Sequence, residues 1–157
     1  MDAQSEKLLA QIIRSSRITA LATLRDEAPL VSMVTFFAAE DFSLFYIFVS
    51  RLAQYTVDMQ KDKRVGLLIA ETDDGREDPQ ALACVSIRAS AEQIPNGEPG
   101  YTPLKNTYLA RFPESAPLFK LEDFNFWRIK PKGGRFIAGL AKAYNITVET
   151  LQKVSER

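Results

Sequence analysis

Apolar and polar positions change period several times along the chain, and each change marks an element. Over residues 2–16, Leu8, Leu9, Ile12 and Ile13 recur at helical spacing behind Asp2, which predicts a capped helix with one apolar stripe. ITALATLR (18–25) and LVSMVTFFA (30–38) alternate with a period of two around the turn formers DEAP (26–29), which predicts a hairpin. The apolar run Leu44–Val49 follows after AEDFS, so three strands with short connections predict an antiparallel meander.

The stretch from Leu44 to Ile69 carries the densest set of signals. Phe45, Tyr46, Ile47, Phe48 and Val49 are aromatic or β-branched and suit a pleated surface, whereas Ser50 is a helix-capping type. A helix beginning at Ser50 and carrying Leu52, Thr56 and Met59 would lead to a second strand at Val65–Ile69. It would aim unpaired backbone N–H groups, its positive dipole end and the Arg51 guanidinium at whatever lies above the strand, which is the chemistry of an anion site. The same residues also describe a plain capped turn with a solvated arginine, and spacing alone leaves both readings open.

Farther on, ETDDGREDPQ (71–80) is acidic and rich in turn formers and reads as an exposed loop. ALACVSIRASAEQI (81–94) is long for a strand, a length that suits bending around a barrel. TPLKNTYLARF (102–112) predicts a helix with Leu104, Tyr108, Leu109 and Phe112 on one face, with one more turn over Ser115–Lys120. LEDFNFWRIKP (121–131) alternates Phe124, Phe126 and Arg128 against Asn125, Trp127 and Ile129, a strand with two unlike faces. RFIAGLAKA (135–143) predicts a short strand that Gly139 ends or bulges, and residues 147–156 a final helix capped by Thr147. About six strands with inserted helices predict a mainly β fold, an antiparallel barrel with peripheral helices, in one domain spanning 1–157.

Composition narrows the chemistry. Twenty basic and twenty acidic residues leave no net charge, so no nucleic-acid partner is expected. No run of about 18 apolar residues occurs and no signal peptide is indicated, so no membrane association is expected and a cytoplasmic protein is. The single cysteine, Cys84, reads as a small buried hydrophobe and leaves no multi-cysteine metal site. The chain has no histidine, which removes the commonest metal ligand and general base; any redox chemistry would fall to a cofactor, and no catalytic residue is assigned.

Five segments in register, ITALATL, PLVSMVTF, LFYIFVSRLAQYT with DKRVGLLI, DFNFWRIKP and GLAKA, resemble the FMN-binding split barrels related to pyridoxamine 5′-phosphate oxidase, in the branch that includes haem-utilisation proteins. The resemblance implies a split β-barrel homodimer with FMN in a groove at the subunit interface. It implies phosphate contacts from Ser50, Arg51 and Thr56, ring contacts from the backbone of Met33, Val34 and Thr35, and further cofactor contacts from Arg64 and Lys142. Tyr55, Val57 and Asp58 depart from the family's His-Thr-Arg-Asn run, where Asp58 would either oppose a phosphate or face solvent. The closing Arg-Leu-His-Asp-Arg-like segment of the oxidases is missing, so pyridoxamine phosphate oxidation is not expected. The expectation is an FMN flavoprotein, an oxidoreductase if an enzyme. Its alternative is a non-catalytic dimer that has weakened or lost FMN and serves as a ligand-binding or haem-related protein, with Tyr55, Tyr144, Met or Cys84 left to ligate haem.

Overall fold

The computed structural model describes residues 1–157. Asp2 caps the first helix as the pattern predicts, its carboxylate accepting from the Ser5 backbone N–H at 2.8 Å, and α1 runs Ala3–Ser15. The hairpin follows as β1 (Ile18–Arg25) and β2 (Ala28–Thr35). Its loop is tighter than DEAP implies, because Asp26 and Glu27 both take left-handed backbone angles (φ 49° and 65°) and turn the chain in two residues. Two successive left-handed residues match the right-handed twist of paired strands, so β2 starts two residues earlier than expected. Then come β3 (Phe37–Ala38), β4 (Phe45–Ser50), α2 (Gln54–Lys61), β5 (Arg64–Ala70), β6 (Cys84–Gln93) and α3 (Tyr101–Arg111). A 3₁₀ segment fills Pro113–Lys120, and β7 (Phe124–Ile137), β8 (Ala143–Ile146) and α4 (Val148–Ser155) complete the chain.

All strand pairs are antiparallel, in the order β2-β1-β5-β6-β7-β4-β3, with β8 added beside β7. The two ends of that path are neighbours in sequence, separated only by Phe36, so the sheet curls back on itself. The fold is mainly β with peripheral helices, and the barrel stays open along one seam. β3 pairs with β4 through Phe37↔Tyr46 and Ala38↔Phe45. Continued, that register would set Thr35 opposite Phe48 and Met33 opposite Ser50. No ladder forms there: β2 pairs with β1 along its whole length, and its other edge stays open.

Two predicted strands are one. LEDFNFWRIKP and RFI belong to the single strand β7, which runs through Lys132-Gly133-Gly134 without a break. Gly134 is required there, since a Cβ would lie 2.0 Å from the Ser86 carbonyl oxygen across the ladder. The chain reverses at Gly139 and Ala141, both at positive φ, which adds the unpredicted β8. β6 is long as predicted, and its register with β7 shifts between Arg88 and Ala89, where β7 carries Lys132 as an extra, bulged residue.

The main core has 26 buried residues, including Leu9, Ile12 and Ile13 from α1, Trp127 and Ile129 from β7, and Leu151 and Val154 from α4. Each such aliphatic side chain contributes about 1.5–3 kcal/mol by leaving water. The opposite face of β7 turns Phe126 into a separate aromatic cluster with Phe37, Phe48, Ile94, Tyr108 and Phe112, so the two unlike faces read from the sequence serve two cores. Phe119 of the 3₁₀ segment stacks on Phe48 at 4.1 Å. Cys84 is partly buried, which pushes its thiol pKa up. No helix is long and apolar enough to cross a membrane.

A carboxylate clamp joins the two ends of the chain. Glu6 on α1 is 4% exposed and accepts from Lys153 Nζ at 2.8 Å and from Arg157 Nη2 at 2.6 Å. These cations hold its carboxyl below the ordinary value of 4.5, so the clamp's stabilisation is complete above that range and fades as pH falls through it toward the lower folded value. Acidification below about pH 4.5 is expected to speed amide hydrogen exchange at Leu151 and Val154 beyond the change at Ile47 and Ile87. Glu6→Gln should remove that difference, and a variant that keeps it would show that another group carries the acid sensitivity.

Candidate functional site

The seam between β2 and β4 gathers most of the residues singled out by the sequence. On one side, Phe36 N donates to Arg17 O at 3.0 Å, which makes Arg17↔Phe36 a hydrogen-bonded pair and, by alternation, Thr19↔Val34 another. The backbone N–H and C=O groups of Met33 and Thr35 therefore point the other way, into the seam, where no ladder receives them. The Val34 side chain turns into the core, while Met33 stands 71% exposed. Thr35 Oγ1 lies 3.2 Å from the Tyr108 hydroxyl of α3.

On the other side lies the turn that follows β4. The helix does not begin at Ser50: Arg51, Leu52 and Ala53 form a turn, Ala53 is the N-cap, and α2 starts at Gln54. The displacement has a tertiary cause. Ser50 pairs with Phe124 in the β4–β7 ladder, and its hydroxyl donates to Asp123 Oδ2 at 2.5 Å while accepting from Leu52 N at 3.1 Å. Asp123 also accepts through its backbone oxygen from Arg51 N at 2.7 Å. Ser50 O in turn accepts from Ala53 N at 3.2 Å and from Thr56 Oγ1 at 2.7 Å, and Thr56 is 1% exposed. The Arg51 guanidinium is exposed and makes no ion pair. The amides of Gln54 and Tyr55, in the first turn of α2, have no intrahelical acceptor.

Arg64 and Lys142 stand apart from this turn within one chain. Arg64 pairs with Asp62 and with Glu27 of the β1–β2 loop, both at 2.7 Å, and Lys142 lies 3.7 Å from Asp2 beside the start of α1. The seam thus brings together Met33, Val34, Thr35, Ser50, Arg51 and Thr56, and leaves the other two elsewhere.

Asp58 neither faces solvent nor sits free beside the anion turn. It is 1% exposed and accepts from Thr23 Oγ1 at 3.1 Å, Arg25 Nε at 2.8 Å and Gln54 Nε2 at 2.9 Å, which pins α2 to β1. Sequence reasoning missed this role because its partners lie 33 and 35 residues away in the chain. Tyr55 packs against the main core, and burial raises its pKa.

The outer face of the sheet beside the seam is apolar. Ala20 pairs with Met33 on one side and Leu68 on the other, and Ala22 with Val31 and Gly66. Ile18, Val31, Met33 and Leu68 are 51%, 65%, 71% and 44% exposed. Two grooves of about 580 and 720 Å3 meet on this face at Ala20, Val31 and Leu68, and Arg88 and Arg135 line the first.

Comparison with known proteins gives a family. The family described as Pyridoxamine 5′-phosphate oxidase matches residues 5–138. The chloroplastic heme oxygenase HOZ of Arabidopsis thaliana is 32% identical over 116 residues, 74% of this chain, and the chain spans only 34% of that relative's length. A heme binding protein from Mycobacterium smegmatis shares the fold with a TM-score of 0.84 at 21% identity, over 98% of this chain and 62% of that one. A FAD-binding protein from Mesorhizobium loti aligns with a TM-score of 0.64 at 17% identity, over 84% and 91%.

Asp58→Ala is expected to cost about 2–4 kcal/mol in urea denaturation, because three donors lose their acceptor inside the protein. A loss under about 0.5 kcal/mol, the level of an ordinary surface substitution, would show that α2 is held by packing alone.

Proposed function

Because the chain belongs to the pyridoxamine 5′-phosphate oxidase family, whose match covers residues 5–138, we propose that it is a homodimeric flavoprotein holding FMN in the seam between β2 and β4. One observation carries this reading. The unpaired backbone groups of Met33 and Thr35 face a turn that offers the uncommitted Arg51 guanidinium and the first amides of α2. Backbone donors and acceptors suit the polar edge of an isoalloxazine ring, and a cation with helix-terminal N–H groups suits a phosphate. Thr56 supports the turn from beneath, its hydroxyl proton committed to Ser50 O.

When bound, FMN supplies hydride or electron transfer, and the chain's own contribution is binding and orientation. The partner copy belongs on the apolar face of β1, β2 and β5. Its exposed Ile18, Val31, Met33 and Leu68 lie in adjacent cross-strand positions, and Met33 also borders the seam, so one association would cover the apolar strip and close the cofactor site. Arg64 and Lys142 then reach a cofactor only across the dimer.

A second reading rests on Asp123, whose carboxylate sits at the turn where the phosphate is to bind. In that reading the dimer has lost tight FMN and takes a planar, carboxylate-bearing ring such as haem in the apolar groove between Arg88 and Arg135. The heme proteins among the relatives favour it. The absence of histidine leaves the iron to a tyrosine, methionine or cysteine.

Titration of the purified protein with FMN and with haem separates the two readings by which ligand binds and raises thermal stability. On the flavin reading Arg51→Ala weakens FMN by about 1.5–3 kcal/mol, the range for a charged hydrogen bond. An unchanged dissociation constant would place the phosphate elsewhere. Met33→Asp should turn the dimer into a monomer in sedimentation velocity, and a dimer that survives it would put the interface on another face.

A further inference from the structure

We propose that Asp123 is a specificity-determining residue of the seam: its carboxylate occupies the phosphate end, so the site gains little from a ligand's phosphate and holds FMN as an exchangeable ligand. This rests on the flavin reading above and concerns one end of the same site. The one proton that the Ser50 hydroxyl could offer an anion is already committed. That proton goes to Asp123 Oδ2 at 2.5 Å, and the hydroxyl oxygen receives Leu52 N at 3.1 Å. A phosphate can take the Ser50 proton only by displacing the carboxylate. Asp123 is not on a loose loop that could swing away, because Phe124 pairs with Ser50 in the ladder and Asp123 O binds Arg51 N at 2.7 Å.

Charge works in the same direction. Arg51 is the turn's one uncommitted cation, and Asp123 offsets it. Arg25 is held by Asp58, and Arg64 by Asp62 and Glu27. A dianionic phosphate at this turn meets a carboxylate one hydrogen bond away, whereas the terminal hydroxyl of a phosphate-free flavin carries no charge and meets no such repulsion.

The test measures FMN and riboflavin dissociation constants by calorimetry for the wild type and Asp123→Asn. Asparagine keeps an acceptor for Ser50 and the backbone bond to Arg51, so the fold is retained, and the melting temperature checks this. The wild type is expected to bind the two flavins within about threefold of each other. Asp123→Asn is expected to tighten FMN by about tenfold or more while leaving riboflavin unchanged, as removal of one like charge beside a phosphate predicts. Equal tightening of both flavins, or none, overturns the proposal. If no variant binds either flavin, the flavin reading itself falls, and inorganic pyrophosphate followed by amide shifts of Arg51, Gln54 and Tyr55 decides the proposal. Binding about tenfold tighter in Asp123→Asn than in wild type sustains it, and equal or absent binding in both overturns it.

Discussion

The strand that contains Phe36 changes partner at that residue, and the open seam depends on that switch. Up to Thr35 it belongs to β1, and from Phe37 it belongs to β4. Phe36 itself is fully buried, its ring 6.2 Å from Phe45, so the crossover is fixed inside the core. β4 pairs with β7 along one edge from Phe45 to Ser50, and on its other edge the pairing with β3 ends at Tyr46. The open seam is a consequence of the topology. It leaves backbone groups of Met33 and Thr35 with hydrogen-bonding capacity that solvent or a ligand must satisfy.

What faces the seam is held by two carboxylates with opposite consequences. Asp58 is buried and matched by Arg25, Thr23 and Gln54, so it fixes α2 against β1 and presents no charge to the turn. Asp123 is partly exposed, with Ser50 as its side-chain partner, and its charge remains available to a ligand. The departure Asp58 from the family's pattern thus affects stability. Affinity at the turn falls instead to Asp123, a residue the sequence pattern did not single out. The same outer sheet face that carries Met33 is apolar in the cross-strand rows of Ala20 and Ala22, so the seam and this apolar face share a border.

Periodicity made the local elements legible. The Asp2 cap, the strand at 18–25, the aromatic run of β4, the long β6 and the two-faced β7 all report contacts between residues close in sequence or a simple inside-outside alternation. The errors share a different origin. The start of α2 moved from Ser50 to Gln54 because Ser50 is held in the β4–β7 ladder opposite Phe124, a residue distant in sequence. Lys132-Gly133-Gly134 read as a break, yet Gly134 is there because Ser86 approaches too closely for a side chain, and Gly133 takes a positive φ beside the Ile146 carbonyl. The β8 return depends on left-handed backbone at Ala141, a residue type that gives no such signal. Of the site, the Ser50-Arg51 turn and the Met33–Thr35 strand were visible as segments. Their facing each other across an unpaired seam is a property of sheet order.

The fold is common to a protein described as FAD-binding and one described as heme binding, so fold alone does not select the ligand. Organisation of ligand chemistry by the β2–β4 seam is tested directly by amide chemical-shift mapping during an FMN titration. Met33, Thr35, Arg51, Gln54 and Tyr55 are expected to shift together and saturate with one dissociation constant. Shifts confined to the groove lined by Ser86, Arg88, Arg135 and Asn145, with the seam unmoved, would contradict it.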